Sequence, residues 1–215
     1  MQIGILGAGR LGSRLGQRWA TAGHQVMLSS RDPAGARIQS ILRECGPNAQ
    51  AGTVQETLAF GSVIVLALEW EHVAEVVSHA GDWQGKIVID ATNRFTPAAQ
   101  SGAEEIAAMI PQAHVVKALN TVGAKHLETG SLMGEQISMF IAGDHPPAKA
   151  IVRQLVEELG LAVVDVGHLS AAGLVEQLAH LWVALAFGTH GQRLGPDIAF
   201  RLIQGPSVPD TEIQG

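Results

Sequence analysis

The stretch that decides the fold is Gln2-Ile3-Gly4-Ile5-Leu6-Gly7-Ala8-Gly9-Arg10-Leu11-Gly12, with Gln25-Val26-Met27-Leu28-Ser29-Ser30-Arg31 after it. A short apolar run, a Gly-x-Gly-x-x-Gly loop, a helix to about Ala22 and a second apolar run follow one another within about 30 residues. That succession gives the glycines their meaning as the phosphate loop of a dinucleotide-binding unit. Gly7 permits the tight turn, Gly9 lets backbone amides approach a pyrophosphate, and Gly12 allows the helix to pack closely on the strand. Ala8, Arg10 and Leu11 complete the loop. The amino end of the helix adds unpaired N–H groups and a partial positive charge.

The end of the second run selects the dinucleotide. A site for NAD places a carboxylate there, to accept from the ribose 2′-hydroxyl. This chain has Ser29-Ser30-Arg31 instead. The Ser30 hydroxyl and the Arg31 guanidinium suit a 2′-phosphate, which arginine binds with two parallel bonds. Asp32 is the acidic rival, but Pro33 follows it and marks it as a helix cap. The expected cofactor is NADP(H).

Working outward, Val- and Ile-rich runs alternate with helix-period segments, the pattern of a parallel α/β sheet. Strands are expected at 2–6, 25–30, 49–52, 63–68, 86–91, 114–119, 138–142 and 162–166. Ile38, Ile41, Leu42 and Cys45 form one helix face, Thr53 and Glu56 have capping-box spacing, and Pro146-Pro147 opens a helix that Gly160 ends. After Gly167 no further strand is evident. Ser170 is expected to cap a helix of about five turns, apolar around most of its circumference. Such a helix packs on a second copy of itself or closes over a cleft. The fold class is therefore a Rossmann-type, doubly wound, mostly parallel α/β sheet with a C-terminal helical segment. Residues 1–167 form the NADP-binding domain, 168–204 the helical dimerisation or cleft segment, and 205–215 a tail.

Composition narrows the partners. The chain has 215 residues, 47% of them hydrophobic, enough for a large core. A net charge of −6 argues against nucleic acid and anionic lipid. The lone cysteine, Cys45, excludes an internal disulfide or a multi-cysteine metal site and reads as buried. His168, His180 and His190 lack supporting ligands, so no metal is expected. No signal peptide is visible. The helix Ala171 to Phe187 carries Glu176, Gln177 and His180, which make it a poor membrane span. The expected location is the cytoplasm.

Ligands of such sheets sit beyond the carboxyl ends of the strands. Three of those ends carry reactive side chains: Leu68-Glu69-Trp70-Glu71-His72, Asp90-Ala91-Thr92-Asn93-Arg94 and Lys117-Ala118-Leu119-Asn120-Thr121. Together they outline a nicotinamide pocket. Each also has a plain structural reading: Trp70 packs on the sheet edge, His72 lies on the surface, Asp90 is buried with a partner, and Asn93 and Asn120 close turns.

With these residues in view, the chain resembles the NADPH-dependent reductases of the deazaflavin coenzyme F420 and the related cytosolic domain of membrane-anchored metalloreductases. The resemblance runs from Met1 to about Ile203. It rests on Gly7–Gly12, Ser30-Arg31, Trp70-Glu71-His72, residues 115–121, Gly167-His168-Leu169-Ser170-Ala171-Ala172 and Ile198-Ala199-Phe200. It implies that Ser30 and Arg31 hold the 2′-phosphate, that Gly9, Arg10 and Leu11 cover the pyrophosphate, and that Leu68 to His72 line the nicotinamide. The loop after Leu119 then flanks the second ring system, with coenzyme F420 or a flavin as co-substrate, in a homodimer joined by C-terminal helices. Two positions depart from the family: Glu69 and Arg94 stand where proline is common. A Glu69 pointing inward repels an anionic partner, and Arg94 attracts one.

Three functions follow. The first is hydride transfer between NADP(H) and a deazaflavin or flavin, with His72 and Asn120 on the reacting side and Asn93 and Ala118 beside the cofactor. The second is reduction of a small carbonyl or imine, which requires a proton donor, His72 or Lys117. The third is a non-catalytic NADP-binding redox sensor.

Overall fold

The runs flanking the glycine loop form β1 (Gln2–Leu6) and β2 (Gln25–Ser29), joined by α1 (Arg10–Thr21). The computed structural model describes residues 1–189 and 191–205. Further strands are β3 (Ala49–Gly52), β4 (Val63–Leu66), β5 (Ile87–Asp90), β6 (His114–Lys117), a hairpin of β7 (Ser131–Leu132) and β8 (Glu135–Gln136), β9 (Ser138–Gly143) and β10 (Ala162–Asp165). The main sheet runs β10-β9-β6-β5-β4-β1-β2-β3. All neighbours from β3 to β6 are parallel, β9 is antiparallel to β6, and β10 is parallel to β9. Strand order reverses between β1 and β4, where such sheets open their ligand crevice. The Rossmann-type, mostly parallel sheet expected from the sequence is the one that forms.

The strands are apolar on both faces because both are covered. Ile3 and Ile5 join Val63, Val65, Ile89 and Val116 in one core, beneath α1, α2 (Ala36–Cys45) and α6 (Pro146–Glu157). Leu6, Ile64, Leu66, Val88 and Val115 alternate with them and face the other core. That second core lies beneath α3 (Val54–Phe60), α4 (Val73–His79) and α5 (Gly102–Met109). The Trp19 indole N–H donates to the Leu155 carbonyl at 3.0 Å and ties α1 to α6. Cys45 is buried as expected. The expected Thr53–Glu56 capping box opens α3, and the Thr53 amide and hydroxyl hold the Glu56 carboxyl below its usual range.

Several boundaries differ from the sequence reading. Asp32 does not cap α2, which starts at Ala36. Residues 32–35 instead make a turn in which the Gly35 N–H donates to the Asp32 carbonyl, with Pro33 at the position where its fixed φ suits a turn. Ser170 does not cap the last helix either, because it lies within a 3-10 turn, Leu169–Ala171, ahead of α7 (Ala172–Phe187). Asp144 closes that entry by accepting from the Leu169 N–H at 3.0 Å. Strands β2, β4 and β6 stop at Ser29, Leu66 and Lys117, short of the expected ends, where the chain turns out of the sheet. Two features were not foreseen: α5 with its Ser101–Glu104 capping box, and the β7–β8 hairpin, turned by Met133 (φ 52°) and Gly134 (φ 82°).

Helix α7 buries Ala172, Val175, Glu176, Ala179 and Ala186 and leaves Leu174, Leu181 and Phe187 exposed. Gly188, at φ 74°, ends it. The chain then returns across the sheet edge, where the Trp182 indole donates to the Ile198 carbonyl at 2.9 Å and the Ser138 N–H to the Phe200 carbonyl at 3.0 Å. By length and composition alone Leu169–Phe187, of mean hydropathy 1.3, is long and apolar enough to cross a membrane, contrary to the sequence reading. In the fold 33% of that stretch is buried inside the molecule. His190 and all but the first residue of the expected tail lie outside the described residues.

Candidate functional site

The glycine loop is shaped by contacts that leave one side open. Gly7 has φ +113°, and a Cβ there would sit 2.3 Å from the Ala67 carbonyl oxygen. A Cβ on Gly12 would sit 1.9 Å from the Gly7 carbonyl oxygen. Gly9 differs: a Cβ there would meet no atom within 4 Å. The fold therefore requires Gly7 and Gly12 for its own packing, while the space above Gly9 is open to a ligand. No side chain caps the amino end of α1, and its first turn has no acidic residue. Those N–H groups and the helix dipole suit a pyrophosphate. Ala8 and Leu11 are half-buried against the core, and Arg10 is exposed.

At the end of β2 the two serines divide the work. Ser29, which the sequence reading left without a role, is buried, and its hydroxyl accepts from the Gly7 N–H at 3.0 Å. Ser30 lies beyond the strand, its hydroxyl donating to the Asp32 carbonyl at 2.9 Å and accepting from the Asp32 N–H at 3.2 Å. Arg31 is exposed. Among the described residues no ion pair is recorded for it. A 2′-phosphate on this rim would meet a guanidinium and a hydroxyl, so the residues present fit NADP(H).

The other half of the crevice is built on the ends of β4, β5 and β6. Leu68 packs near Gly7 and into the second core. Glu69 is exposed. His72 is also exposed, at the end of the 3-10 turn Trp70–His72. Trp70 is half-buried, and a Cβ on Gly102 would lie 2.8 Å from its ring. The Arg94 guanidinium lies 5.3 Å from the centre of the same ring. Arg94 is not the free cation the sequence suggested. It is buried, pairs with Glu105, and donates to the Gln100 carbonyl.

Asn93 and Asn120 face each other across the ends of β5 and β6. The Asn93 amide donates to the Asn120 carbonyl at 3.1 Å, and the Asn120 amide donates to Asn93 Oδ1 at 3.1 Å and to the Val175 carbonyl at 3.4 Å. This pairing fixes which way both amides point, since turning either one sets like against like. Directly before Asn120, Leu119 adopts φ 63°, a left-handed conformation that costs a branched residue about 1 kcal/mol or more and concentrates at ligand sites. Ala118 is fully buried in the core.

Lys117, proposed from sequence as a proton donor, is fully buried. Its ammonium donates to Asp90 Oδ2 at 2.8 Å and the Thr92 carbonyl at 2.6 Å, and lies 3.2 Å from Glu176 Oε1. Two hydrogen bonds and a second carboxylate hold it inside the fold, away from any substrate. Asp90 is buried with a partner, as its structural reading held, and also accepts from the Thr92 N–H and hydroxyl. Glu176 went unread in the sequence except as an interruption of an apolar helix. It reaches over from α7 to accept from the Gly102 and Ala103 N–H groups at the start of α5. The available signal was one carboxylate on the buried face of an otherwise apolar helix. Among the described residues no group of three His, Cys, Asp or Glu side chains is placed to hold a metal ion.

Comparison with known proteins agrees with this geometry. Residues 2–94 match the family model described as NADP oxidoreductase, coenzyme F420-dependent. The metalloreductase STEAP3 of Rattus norvegicus is 31% identical over 181 residues, covering 82% of this chain and 36% of that protein. The F420-dependent NADP reductase of Methanothermobacter marburgensis is 27% identical over 209 residues, covering 86% of this chain and 92% of that one. A solved structure from Arthrobacter sp. FB24, described as a putative F420-dependent NADP-reductase, superposes with a TM-score of 0.79 at 29% identity, covering 93% of this chain and all (100%) of that one. The chain spans about a third of the length of the metalloreductases it matches. The resemblance read from the motifs is thus borne out: the chain is akin to the coenzyme F420-dependent NADP oxidoreductases and to the metalloreductases.

Proposed function

We propose that this chain transfers a hydride between NADP(H) and the ring of a deazaflavin of the F420 type, or of a flavin. NADP(H), when bound, supplies or receives the hydride at its nicotinamide. The residues here hold and orient it: Gly9 and the amino end of α1 receive the pyrophosphate, and Ser30 and Arg31 the 2′-phosphate. Leu68, Glu69 and Trp70 border the nicotinamide opposite Asn93 and Asn120, and His72 stands at the rim. One observation carries the reading. Among the described residues the two cations buried at these strand ends, Lys117 and Arg94, are both held by internal carboxylates and carbonyls, so neither offers a proton to a substrate. A ring-to-ring hydride transfer needs positioning and little acid–base machinery, whereas reduction of a carbonyl needs a proton donor, for which the exposed His72 alone remains of the two candidates.

The exposed apolar side chains of α7, Leu174, Leu181 and Phe187, suit the same helix of a second copy, so the working unit is proposed to be a homodimer. The setting is proposed to be the cytoplasm, with no nucleic-acid or membrane partner. The test is NADPH oxidation with a panel of acceptors: F420, free flavins, a ferric chelate and small carbonyl compounds. Turnover with F420 or flavin, lost with NADH and regained with NADH in Arg31→Asp, is the expected result. Turnover with carbonyls alone overturns the proposal.

A further inference from the structure

The buried charges at the ends of β5 and β6 do not cancel. Asp90 is 0% exposed, Lys117 0% and Glu176 4%. One ammonium lies between two carboxylates. Every contact recorded to the two carboxylates comes from a donor. Asp90 receives the Lys117 ammonium and the Thr92 N–H and hydroxyl, and Glu176 receives the ammonium and the Gly102 and Ala103 N–H groups. That is how ionised carboxylates are held, and the cluster carries one negative charge in excess. The nearby Arg94 brings no compensation, because Glu105 pairs with it. The start of α5 contributes about half a positive charge, which leaves the cluster negative.

Its place in the sheet gives this charge a use. Asp90 ends β5 and lies beside Leu66 of β4, which lies beside Leu6 of β1, the strand that leads into the glycine loop. At about 4.8 Å per strand, Asp90 sits on the order of 10 Å from the end of β1 and one strand from β4, on the nicotinamide side of the crevice that opens between those two strands. Hydride donation breaks the C4–H bond of NADPH and passes the hydrogen with both electrons to the acceptor ring. The nicotinamide is left with a positive charge it did not have before. From this, and resting on the cofactor reading above, we infer that the Asp90–Lys117–Glu176 cluster favours the oxidised, cationic nicotinamide over the reduced one. It thereby biases the bound cofactor toward giving its hydride away. Glu176 belongs to α7 and is a positioning residue for this charge, so the C-terminal helix takes part in setting the balance between the two bound forms of the cofactor.

The test compares three ligands by calorimetry: NADP⁺, NADPH, and 2′,5′-ADP, which lacks the nicotinamide. A unit charge about 10 Å away in an effective dielectric of 20 to 40 changes the NADP⁺-to-NADPH affinity ratio by on the order of tenfold. Glu176→Gln removes one negative charge and is expected to lower that ratio several-fold, with 2′,5′-ADP binding unchanged. Asp90→Asn touches a different set of partners and is expected to shift the ratio in the same direction. A structural disturbance peculiar to one site would not produce that agreement. Ratios unchanged in both variants, or raised, while all three ligands still bind, overturn the inference and leave the cofactor site standing. If the wild-type protein binds none of the three, the cofactor reading falls and this inference with it.

Discussion

Replacing Lys117 by methionine keeps the volume of the side-chain stem and removes only its charge. The ammonium is fully buried and satisfies Asp90 Oδ2 at 2.8 Å, the Thr92 carbonyl at 2.6 Å and Glu176 Oε1 at 3.2 Å. Without it two carboxylates remain in the interior with only backbone N–H and hydroxyl donors. Breaking a buried ion pair from one side costs about 3–5 kcal/mol, because the partner's charge stays buried without its counterion. Two stranded carboxylates place Lys117→Met at the upper end, about 5 kcal/mol, against a total stability of about 5–15 kcal/mol for a domain. Urea unfolding followed by circular dichroism measures this as a fall in the midpoint at constant slope. Adding Glu176→Gln to Lys117→Met removes one stranded charge and is expected to restore at least about 1 kcal/mol. A single variant that costs less than about 1 kcal/mol would refute the claim that the ammonium holds these strand ends together.

Gly9→Ala is expected to change apo stability by no more than about 1 kcal/mol, since its Cβ meets nothing. It should weaken NADPH binding at least about tenfold by filling the pyrophosphate approach. Gly12→Ala, whose Cβ would meet the Gly7 carbonyl oxygen at 1.9 Å, should instead cost about 2 kcal/mol or more in a urea melt. Equal behaviour of the two variants would contradict the division of roles. Burial first, and Glu44 second, push the Cys45 thiol above its ordinary 9.0. The folded chain then keeps a proton that the unfolded chain loses, so stability falls as pH rises past about 9. Between pH 8 and 10 the urea midpoint of the wild type should fall further than that of Cys45→Ala, and parallel declines would dismiss the effect.

Much of the molecule was written in local pattern. Chain order of strands and helices, the glycine loop and the Ser30-Arg31 rim depend on neighbours within a few residues, and periodicity and turn chemistry report such things directly. Where the reading failed, the missing information was long-range. Asp32 followed by Pro33 satisfies a helix cap and a turn equally well, and only the path of the chain out of β2 selected the turn. Arg94 and Lys117 read as available cations because their partners, Glu105 and Glu176, stand 11 and 59 positions further along the chain.

By itself the sequence determined that this chain builds a mostly parallel, doubly wound sheet with a glycine loop after its first strand and a Ser-Arg pair at the end of its second. Each of those features is specified by residues adjacent along the chain, whose spacing matches a strand or helix repeat. Only the tertiary structure decided which charged groups at the strand ends are spent on one another. Ion pairing between Asp90, Lys117 and Glu176 depends on three elements meeting in a space sealed from water. There a lone charge costs several kcal/mol and must find its partner wherever the fold delivers one.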